Sequence, residues 1–521
     1  MYQTMWLKVF VVLTFLATLC HGANILAFPV SNSYSHFIVM EPLFKELAAR
    51  GHQVTVVSSF PQKQIVKNYY DIDVGYLMPP IRSNFSFDMA TDMGKNPLTN
   101  MKQIWDVGNR ICDTVLSSGE LRELYNSTAH FDLVITHCFA YDCFAVFAHK
   151  FNTPIVTIVT ASALPWSNPR VGNPDHPAYI VNNYINSHED MTLYQRTVNT
   201  LAWLMSTIAI HPLNYDLNNA PIQHYLDASA PTVQDIISSR TSLVMVNSHF
   251  SMLQSRPLVP NFVEIGGIHI KDAKPIPKDF KNFMDDATHG VILFSLGSLV
   301  RASSMSNSTF QALMGAFATL NQRVVFKFEE DVVDGIPPNV MVRKWLPQRD
   351  LLAHHNVRLL MAHGGQSSTI EAVYTGTPMV GMPLFSDQYN NIQTLVLKGA
   401  AELLDLHHLT KERVLEAVTK VLNNSRYKTN AERLSRQFKD RLATPLDTAV
   451  YWTEYVLRHR GAPQLRCQLA DLPWYRFLLL DVIAVLVLGM LASIFTVRTI
   501  IKYALYSVIC VYRRTEKSKD D

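Results

Sequence analysis

Two long apolar runs bracket a body in which short apolar stretches alternate with amphipathic ones. The first run, residues 9–19 (VFVVLTFLATL), follows a lone basic residue, Lys8. Small residues Cys20 and Gly22 then occupy the −3 and −1 positions of a cleavage site before Ala23. This pattern predicts a secretory signal over residues 1–22; the run is too short to cross a bilayer comfortably. The second run, residues 477–497 (FLLLDVIAVLVLGMLASIFTV), is long enough to cross about 30 Å of hydrocarbon as a helix. Its one charge, Asp481, lies near an end and can reach the interface. Trp474 and Tyr475 precede it, and Arg498, Lys502, Arg513, Arg514, Lys517 and Lys519 follow it. That basic asymmetry puts the C-terminus in the cytosol. With the signal, it predicts a single-pass type I protein with residues 23–476 in the lumen and 498–521 as a cytosolic tail.

Between the runs the periodicity is that of strands alternating with helices. Residues 23–30 (ANILAFPV) form an apolar strand. Phe37, Met40, Leu43, Phe44 and Leu47 then recur at helical spacing over 36–50, Gly51 stops the helix, and 53–58 (QVTVVS) is the next strand. Further strands are expected at 133–136, 154–159 and 242–247. A breaker-rich stretch, 271–290 (KDAKPIPKDFKNFMDDATHG), reads as a linker, after which the pattern restarts. Strands are then expected at 291–295, 324–328, 341–345, 357–361 and 379–382, with helices at 305–320, 368–375 and 390–398. Such alternation implies parallel sheets covered on both faces. It predicts two Rossmann-like α/β domains facing a cleft, over 23–270 and 291–460, a juxtamembrane segment 461–476 and the C-terminal transmembrane helix.

Composition narrows the function class. The 521 residues carry 46 Lys+Arg against 43 Asp+Glu, a formal charge of +3, so no basic footprint for nucleic acid exists. Six cysteines exclude a disulfide-built scaffold. Cys112, Cys138, Cys143 and Cys467 fall in the lumenal part, where they can oxidise; spacing does not reveal the pairing. The sequons at Asn84, Asn126, Asn307 and Asn423 fall there too, as N-glycosylation requires. Lys517 and Lys519 stand five and three residues from the end, the K-x-K-x-x pattern that coat machinery reads to return membrane proteins to the endoplasmic reticulum.

The first strand runs into Pro29–His36 without a glycine, and no phosphate-binding P-loop occurs, so NAD-linked redox and P-loop hydrolysis lack support. Chemistry concentrates instead in residues 345–388, WLPQRDLLAHHNVRLLMAHGGQSSTIEAVYTGTPMVGMPLFSDQ. His363-Gly364-Gly365 follows a strand and Ser367-Ser368 opens a helix. Glycine admits close backbone approach, and a helix N-terminus presents N–H groups and positive dipole to a diphosphate. Glu371, one turn on, suits vicinal ribose hydroxyls. Trp345 offers a face to a flat base, and Asp387-Gln388 follows the next strand to the same sheet edge.

This stretch closely resembles the signature of the UDP-glycosyltransferases, the family that includes the UDP-glucuronosyltransferases. The tryptophan, the Pro347-Gln348 pair, the H-G-G, the glutamate eight residues after the histidine and the D-Q pair all fall in register. The resemblance extends to SLGS (295–298), NSHFSMLQSRPLVPN (247–261), EIGGIHI (264–270), the C-terminal span and the lysine tail, and is similar in flavour to arthropod microsomal members. It implies the GT-B fold and a UDP-sugar bound mostly by the second domain. Trp345 would stack on uracil, Gln348 would bond the uridine, and Ser298, His363 and Ser368 would hold the diphosphate beside Gly365 and Ser367. Glu371 would hold the ribose, and Asp387 and Gln388 the sugar. No cofactor and no metal is implied; the UDP-sugar is a co-substrate. Two positions depart: Ala362 replaces the usual Thr or Ser before the histidine, and Ser367 stands where many relatives have Asn.

Transfer to a hydroxyl needs a general base. His36, just past the first strand, matches the family's catalytic histidine and can accept a proton near neutral pH. Its family partner is an aspartate ending a strand written F-D-x-x-x-x-D. Here Phe131-Asp132-Leu133-Val134-Ile135-Thr136 is followed by His137. Asp142 is a candidate substitute, and His137 a candidate neutral acceptor. The expected reaction inverts the anomeric centre. Glucose is the expected sugar, glucuronic acid the alternative, and small lipophilic molecules are the expected acceptors. A non-catalytic UDP-sugar or lipophile binder, or a partner subunit in a homo- or hetero-oligomer, stands as the reading from another class.

Overall fold

The computed structural model describes residues 22–80, 85–95, 97–185, 187, 190–330, 334–406 and 409–517. The apolar leader, Asn84 and Lys519 lie outside the described residues. Two compact units result, one ending at Arg466 and the other running from Cys467.

Among the described residues the first unit holds two large parallel sheets and one two-stranded pair. The first sheet has strands β1 (Asn24–Phe28), β2 (Gln53–Ser58), β3 (Tyr69–Asp73), β4 (Leu133–His137), β5 (Ile155–Val159), β6 (Thr241–Val246) and β7 (Phe262–Glu264), in the order β3-β2-β1-β4-β5-β6-β7. The second has β8 (Val291–Ser295), β9 (Arg323–Lys327), β10 (Val340–Arg343), β11 (Val357–Ala362), β12 (Met379–Gly381) and β13 (Ala401–Leu403), in the order β10-β9-β8-β11-β12-β13. Each order reverses beside its central first strand, and ligands of doubly wound sheets bind at such a switch point.

The strands read as unbroken apolar runs because both faces are covered. In β1, Ile25 and Ala27 join one core while Leu26 and Phe28 join another. In β8, Ile292 and Phe294 separate likewise from Val291 and Leu293. The helix Tyr34–Ala49 lays Val39, Met40, Leu43, Phe44 and Leu47 on the face of Ile25, and Gly51 follows it at φ +99°.

Three elements differ from the sequence expectation. The linker holds a helix, Lys278–Asp285, which buries Phe280 and Met284 in the second half's core; flanking prolines mask its period. The helix Pro445–Arg458, assigned by position to the second domain, buries Ala449, Val450 and Val456 in the first sheet's core. The chain therefore returns to its starting half before residue 460. Conversely, Phe85–Ser86 pairs in parallel with Val300–Arg301, and Phe87 and Ala90 enter the second half's core.

In the second unit a single turn, Trp474–Phe477, precedes a helix over Leu480–Lys517, with Leu479 at φ +53° between them. This candidate membrane helix includes the expected span from 480 onward and continues through the basic residues beyond 497. Leu480–Arg513 is long and apolar enough to cross a bilayer, with mean hydropathy 2.4 over an 18-residue window.

Candidate active site

A cavity of about 620 Å³ opens between the carboxyl ends of the two sheets. On the second-sheet side it is lined by Ser298, Trp345, Gln348, His363, Gly365, Ser367, Ser368, Glu371, Asp387 and Gln388. His36 lines the opposite side. One space therefore gathers every sequence-derived donor residue together with the proposed base.

The donor side is built from loops that follow β8, β11 and β12. Gly365 caps the helix Gln366–Thr375 and no side chain caps it, so its first-turn N–H groups have no intrahelical partner. The His363 imidazole lies against the glycines on both sides. A Cβ on Gly297, which has φ +77°, would stand 2.5 Å from His363 Cε1, and one on Gly365 would stand 2.5 Å from Nε2. Burial and the Lys327 ammonium push His363 down to about 4, so it is a neutral donor at pH 7. Lys327 lines the same end of the cavity and pairs with Glu329 at 2.8 Å. Gln348 Nε2 donates to Ser368 Oγ at 3.0 Å and to Glu371 Oε2 at 2.7 Å. Burial pushes the Glu371 carboxyl up to about 7.

A second turn is held by side chains invisible to sequence reasoning. Asn391 Nδ2 donates to Gly364 O and to Asp387 Oδ2, both at 3.0 Å, tying the two signature loops together. Burial raises the Asp387 carboxyl above its ordinary range. Gln388 Oε1 accepts from the backbone N–H of Leu384 and Phe385, at 2.9 and 3.2 Å. Ser386, between them, takes φ +60°, a conformation that non-glycine residues rarely adopt.

On the acceptor side His36 sits in the first turn of its helix, and His137 ends β4 behind it. His36 Nδ1 lies 3.3 Å from His137 Nε2 and 2.9 Å from Thr160 Oγ1. His137 Nδ1 lies 2.7 Å from the Tyr141 hydroxyl, which donates to the Val30 carbonyl. Burial lowers His36 to about 4, and burial plus His36 lower His137 well below its ordinary value. Both are neutral at pH 7. Asp142 does not serve them: its Oδ2 accepts from Arg170 Nη2 at 2.6 Å in a buried ion pair, and it does not line the cavity. Arg170 takes the carboxylate that the sequence offered to the histidine. Tyr141, Thr160 and Phe139 were missed as site residues because nothing in the chain singles out a lone hydroxyl or ring.

Phe85, Met89, Met93, Ile104, Val107 and Ile111 add apolar lining, with Gln103, Asp106 and Arg110 beside the last three. Helix Pro97–Leu116, which carries Ile104, Val107 and Ile111, is fastened by a disulfide from Cys112 to Cys143, while Cys138 keeps its buried thiol. Asn126, Asn307 and Asn423 are exposed.

Two sheets facing a cleft with this lining are those of a GT-B glycosyltransferase. The family model "UDP-glucoronosyl and UDP-glucosyl transferase" matches residues 23–515, and the chain belongs to that family. It is 41% identical to UDP-glucosyltransferase 2 of Dactylopius coccus over 96% of both chains. It is 31% identical to UDP-glucuronosyltransferase 2B1 of Rattus norvegicus, over 89% of this chain and 90% of that one. Among solved structures, the calicheamicin glycosyltransferase CalG4 aligns with TM-score 0.56 at 20% identity, over 84% of this chain and 99% of that one, a likeness of fold. The protein is therefore a glycosyltransferase, and its family implies a UDP-sugar donor.

Proposed function

We propose that the enzyme transfers glucose from UDP-glucose to a hydroxyl of a small lipophilic acceptor, with inversion. The observation that carries this reading is the single cavity lined by the donor signature on one side and His36 on the other. His36 takes the acceptor proton while the acceptor oxygen attacks the anomeric carbon, and UDP departs from the opposite face. A UDP-α-sugar then yields a β-glycoside. Trp345, 52% exposed in the open cavity, stacks on uracil, and Glu371 with Gln348 holds the ribose. The free N–H groups before Ser367 and Ser368, with Ser298, His363 and Lys327, receive the charge developing on the leaving diphosphate. Asp387 and Gln388 face the sugar hydroxyls. This assigns leaving-group stabilisation to the protein's own groups, without a metal.

Glucose is favoured over glucuronic acid by the higher identity to the glucosyltransferase relative. The six apolar residues around the acceptor end favour lipophilic acceptors, as in conjugation of endogenous or foreign small molecules. The C-terminal helix anchors the enzyme in the endoplasmic reticulum, with the catalytic unit lumenal and glycosylated and the tail retained through Lys517 and Lys519. Full-length enzyme in membranes, offered UDP-glucose, UDP-glucuronic acid and a panel of phenols and alcohols, tests the reading by UDP release and product mass. Glucoside formation by the wild type and none by His36→Ala is the expected result. UDP-sugar binding without turnover would make the protein a binder instead, and Lys517→Ser with Lys519→Ser is expected to release it to the cell surface.

A further inference from the structure

The hydrogen-bond chain behind His36 fixes the positions of its protons, and the following inference rests on reading His36 as the base. The Val30 carbonyl has no hydrogen to give, so the Tyr141 hydroxyl donates to it. Tyr141 Oη must then accept from His137 Nδ1, 2.7 Å away. A neutral imidazole carries one N–H, which leaves His137 Nε2 bare. Facing that nitrogen are His36 Nδ1 at 3.3 Å and Thr160 Oγ1 at 3.2 Å, and Thr160 Oγ1 is 2.9 Å from His36 Nδ1. The His36 proton therefore sits on Nδ1, pointed directly at His137 or at a threonine hydroxyl that donates onward to it. Both arrangements leave His36 Nε2 with its lone pair.

We propose that Tyr141 is a positioning residue which, through His137, holds His36 in the Nδ1–H tautomer, and that Thr160 bridges the two imidazoles and fixes the direction of that hydrogen bond. In the transfer step the acceptor O–H bond breaks and its proton goes to His36 Nε2. The acceptor oxygen bonds to the anomeric carbon, and the bond from that carbon to the UDP oxygen breaks, its pair leaving with UDP. The Nδ1 proton of His36 stays hydrogen-bonded to Thr160 Oγ1, whose own proton points at His137 Nε2. The positive charge rests on His36, whose Nε2 proton returns to solvent after product leaves, while His137 stays neutral and parallel to the Phe139 ring at 5.8 Å.

This relay ends in a hydroxyl and a carbonyl, not a carboxylate. Dipoles stabilise an imidazolium less than a neighbouring anion does. The step is therefore easiest when the acceptor hydroxyl is itself acidic, and the substrate class assigned is phenols and enols rather than aliphatic alcohols. The deep burial of His137, 2% exposed, is what makes its neutral state and fixed tautomer durable.

The test uses full-length enzyme, a series of substituted phenols and one primary alcohol, comparing Tyr141→Phe, His137→Asp and the double variant. Tyr141→Phe is expected to lower kcat on a weakly acidic phenol by about 10- to 100-fold, leaving donor KM within about twofold. His137→Asp is expected to bring in transfer to the alcohol, because a carboxylate fixes the tautomer unaided. For the same reason Tyr141→Phe should cost less than about threefold in that background. Unchanged kcat for Tyr141→Phe, or an equal loss in both backgrounds, overturns the relay while His36→Ala still reports on the base. Activity retained by His36→Ala overturns both. Should Tyr141→Phe fail to fold, Thr160→Val carries the test: a loss of about tenfold at constant donor KM supports the bridge, and a loss under about twofold overturns it.

Discussion

At Glu371 burial and ligand binding pull one proton in opposite directions. The carboxyl sits near 7 when the site is open, because desolvation outweighs the hydrogen bond from Gln348 and the nearby Arg349 cation. Holding two ribose hydroxyls calls for the carboxylate, which is the form present above that value. On the proposed reading, donor KM should rise as pH falls below about 7 and level off above it. A charge-assisted hydrogen bond contributes about 1.5–3 kcal/mol, so Glu371→Gln should raise donor KM roughly 10- to 100-fold and flatten its pH dependence between pH 5 and about 8. Steady-state KM for the UDP-sugar across that range is the measurement, and a parallel pH profile in the variant would remove Glu371 from the ribose. Gly297 makes a steric counterpart. Its φ of +77° and the 2.5 Å approach to His363 predict that Gly297→Ala displaces the imidazole. Donor KM should rise about tenfold while kcat for bound donor changes less, as initial rates would show. The glycines were legible from the chain as a place of close approach. The ring they accommodate, and the Asn391 side chain that ties their loop to Asp387, were not, because an isolated asparagine on a helix carries no spacing signal.

At the scale of elements, strands were the most legible features, since a run covered on both faces is mostly apolar: β1 and β8 each carry four consecutive apolar residues, and β2 is rich in valine. Helices were legible only in part: 36–50, 305–320, 368–375 and 390–398 were read from their period, Pro97–Leu116 and Lys278–Asp285 were not, and no destination was visible. Helix Pro445–Arg458 has an apolar stripe that fits either core, and only the assembled chain shows Ala449 and Val450 against the first sheet. The docking of Phe87 and Ala90 into the other half is similarly silent in sequence. So was the pairing of Cys112 with Cys143, which links helix Pro97–Leu116 to the segment just after β4 across a sequence separation of 31. Closing a loop of that size limits the unfolded chain by about 3–4 kcal/mol on the chain-entropy account. Replacing both cysteines by serine should therefore lower Tm clearly. Because Ile104, Val107 and Ile111 ride on that helix while the donor residues do not, acceptor KM should rise and donor KM hold. A rise in both would place the disulfide's influence on the whole cleft instead of its apolar lining.

For the molecule as a whole, the burial that forms the site also sets its response to acid. His36, His249, His269 and His363 are each pushed down to about 4, chiefly by burial, and burial also holds His137 well below its ordinary value. An unfolded chain protonates these rings near 6.5. Between about 6.5 and 4 the unfolded state therefore binds protons that the folded state refuses, and stability is present in full above that window and lost as pH falls through it. Buried carboxyls act the other way. Glu371, at about 7, and the raised Asp175, Glu264 and Asp387 keep protons that the unfolded chain releases. Five histidines outnumber these four groups, and they carry most of the large displacements, so the net expectation is progressive loss of Tm from pH 6.5 downward. Each wholly buried ring supplies a slope of at most about 1.4 kcal/mol per pH unit. His269 separates this account from general acid sensitivity. It is buried and outside the cavity lining but lies against the Ser367 backbone, so His269→Leu removes one titrating ring and is read by stability rather than activity. Thermal unfolding of the full chain in detergent should show the variant losing less stability than the wild type between pH 6.5 and about 4, while above pH 7 the two curves run parallel. Identical acid slopes would mean that the unfolded reference is already protonated like the fold, and burial would no longer account for the acid response.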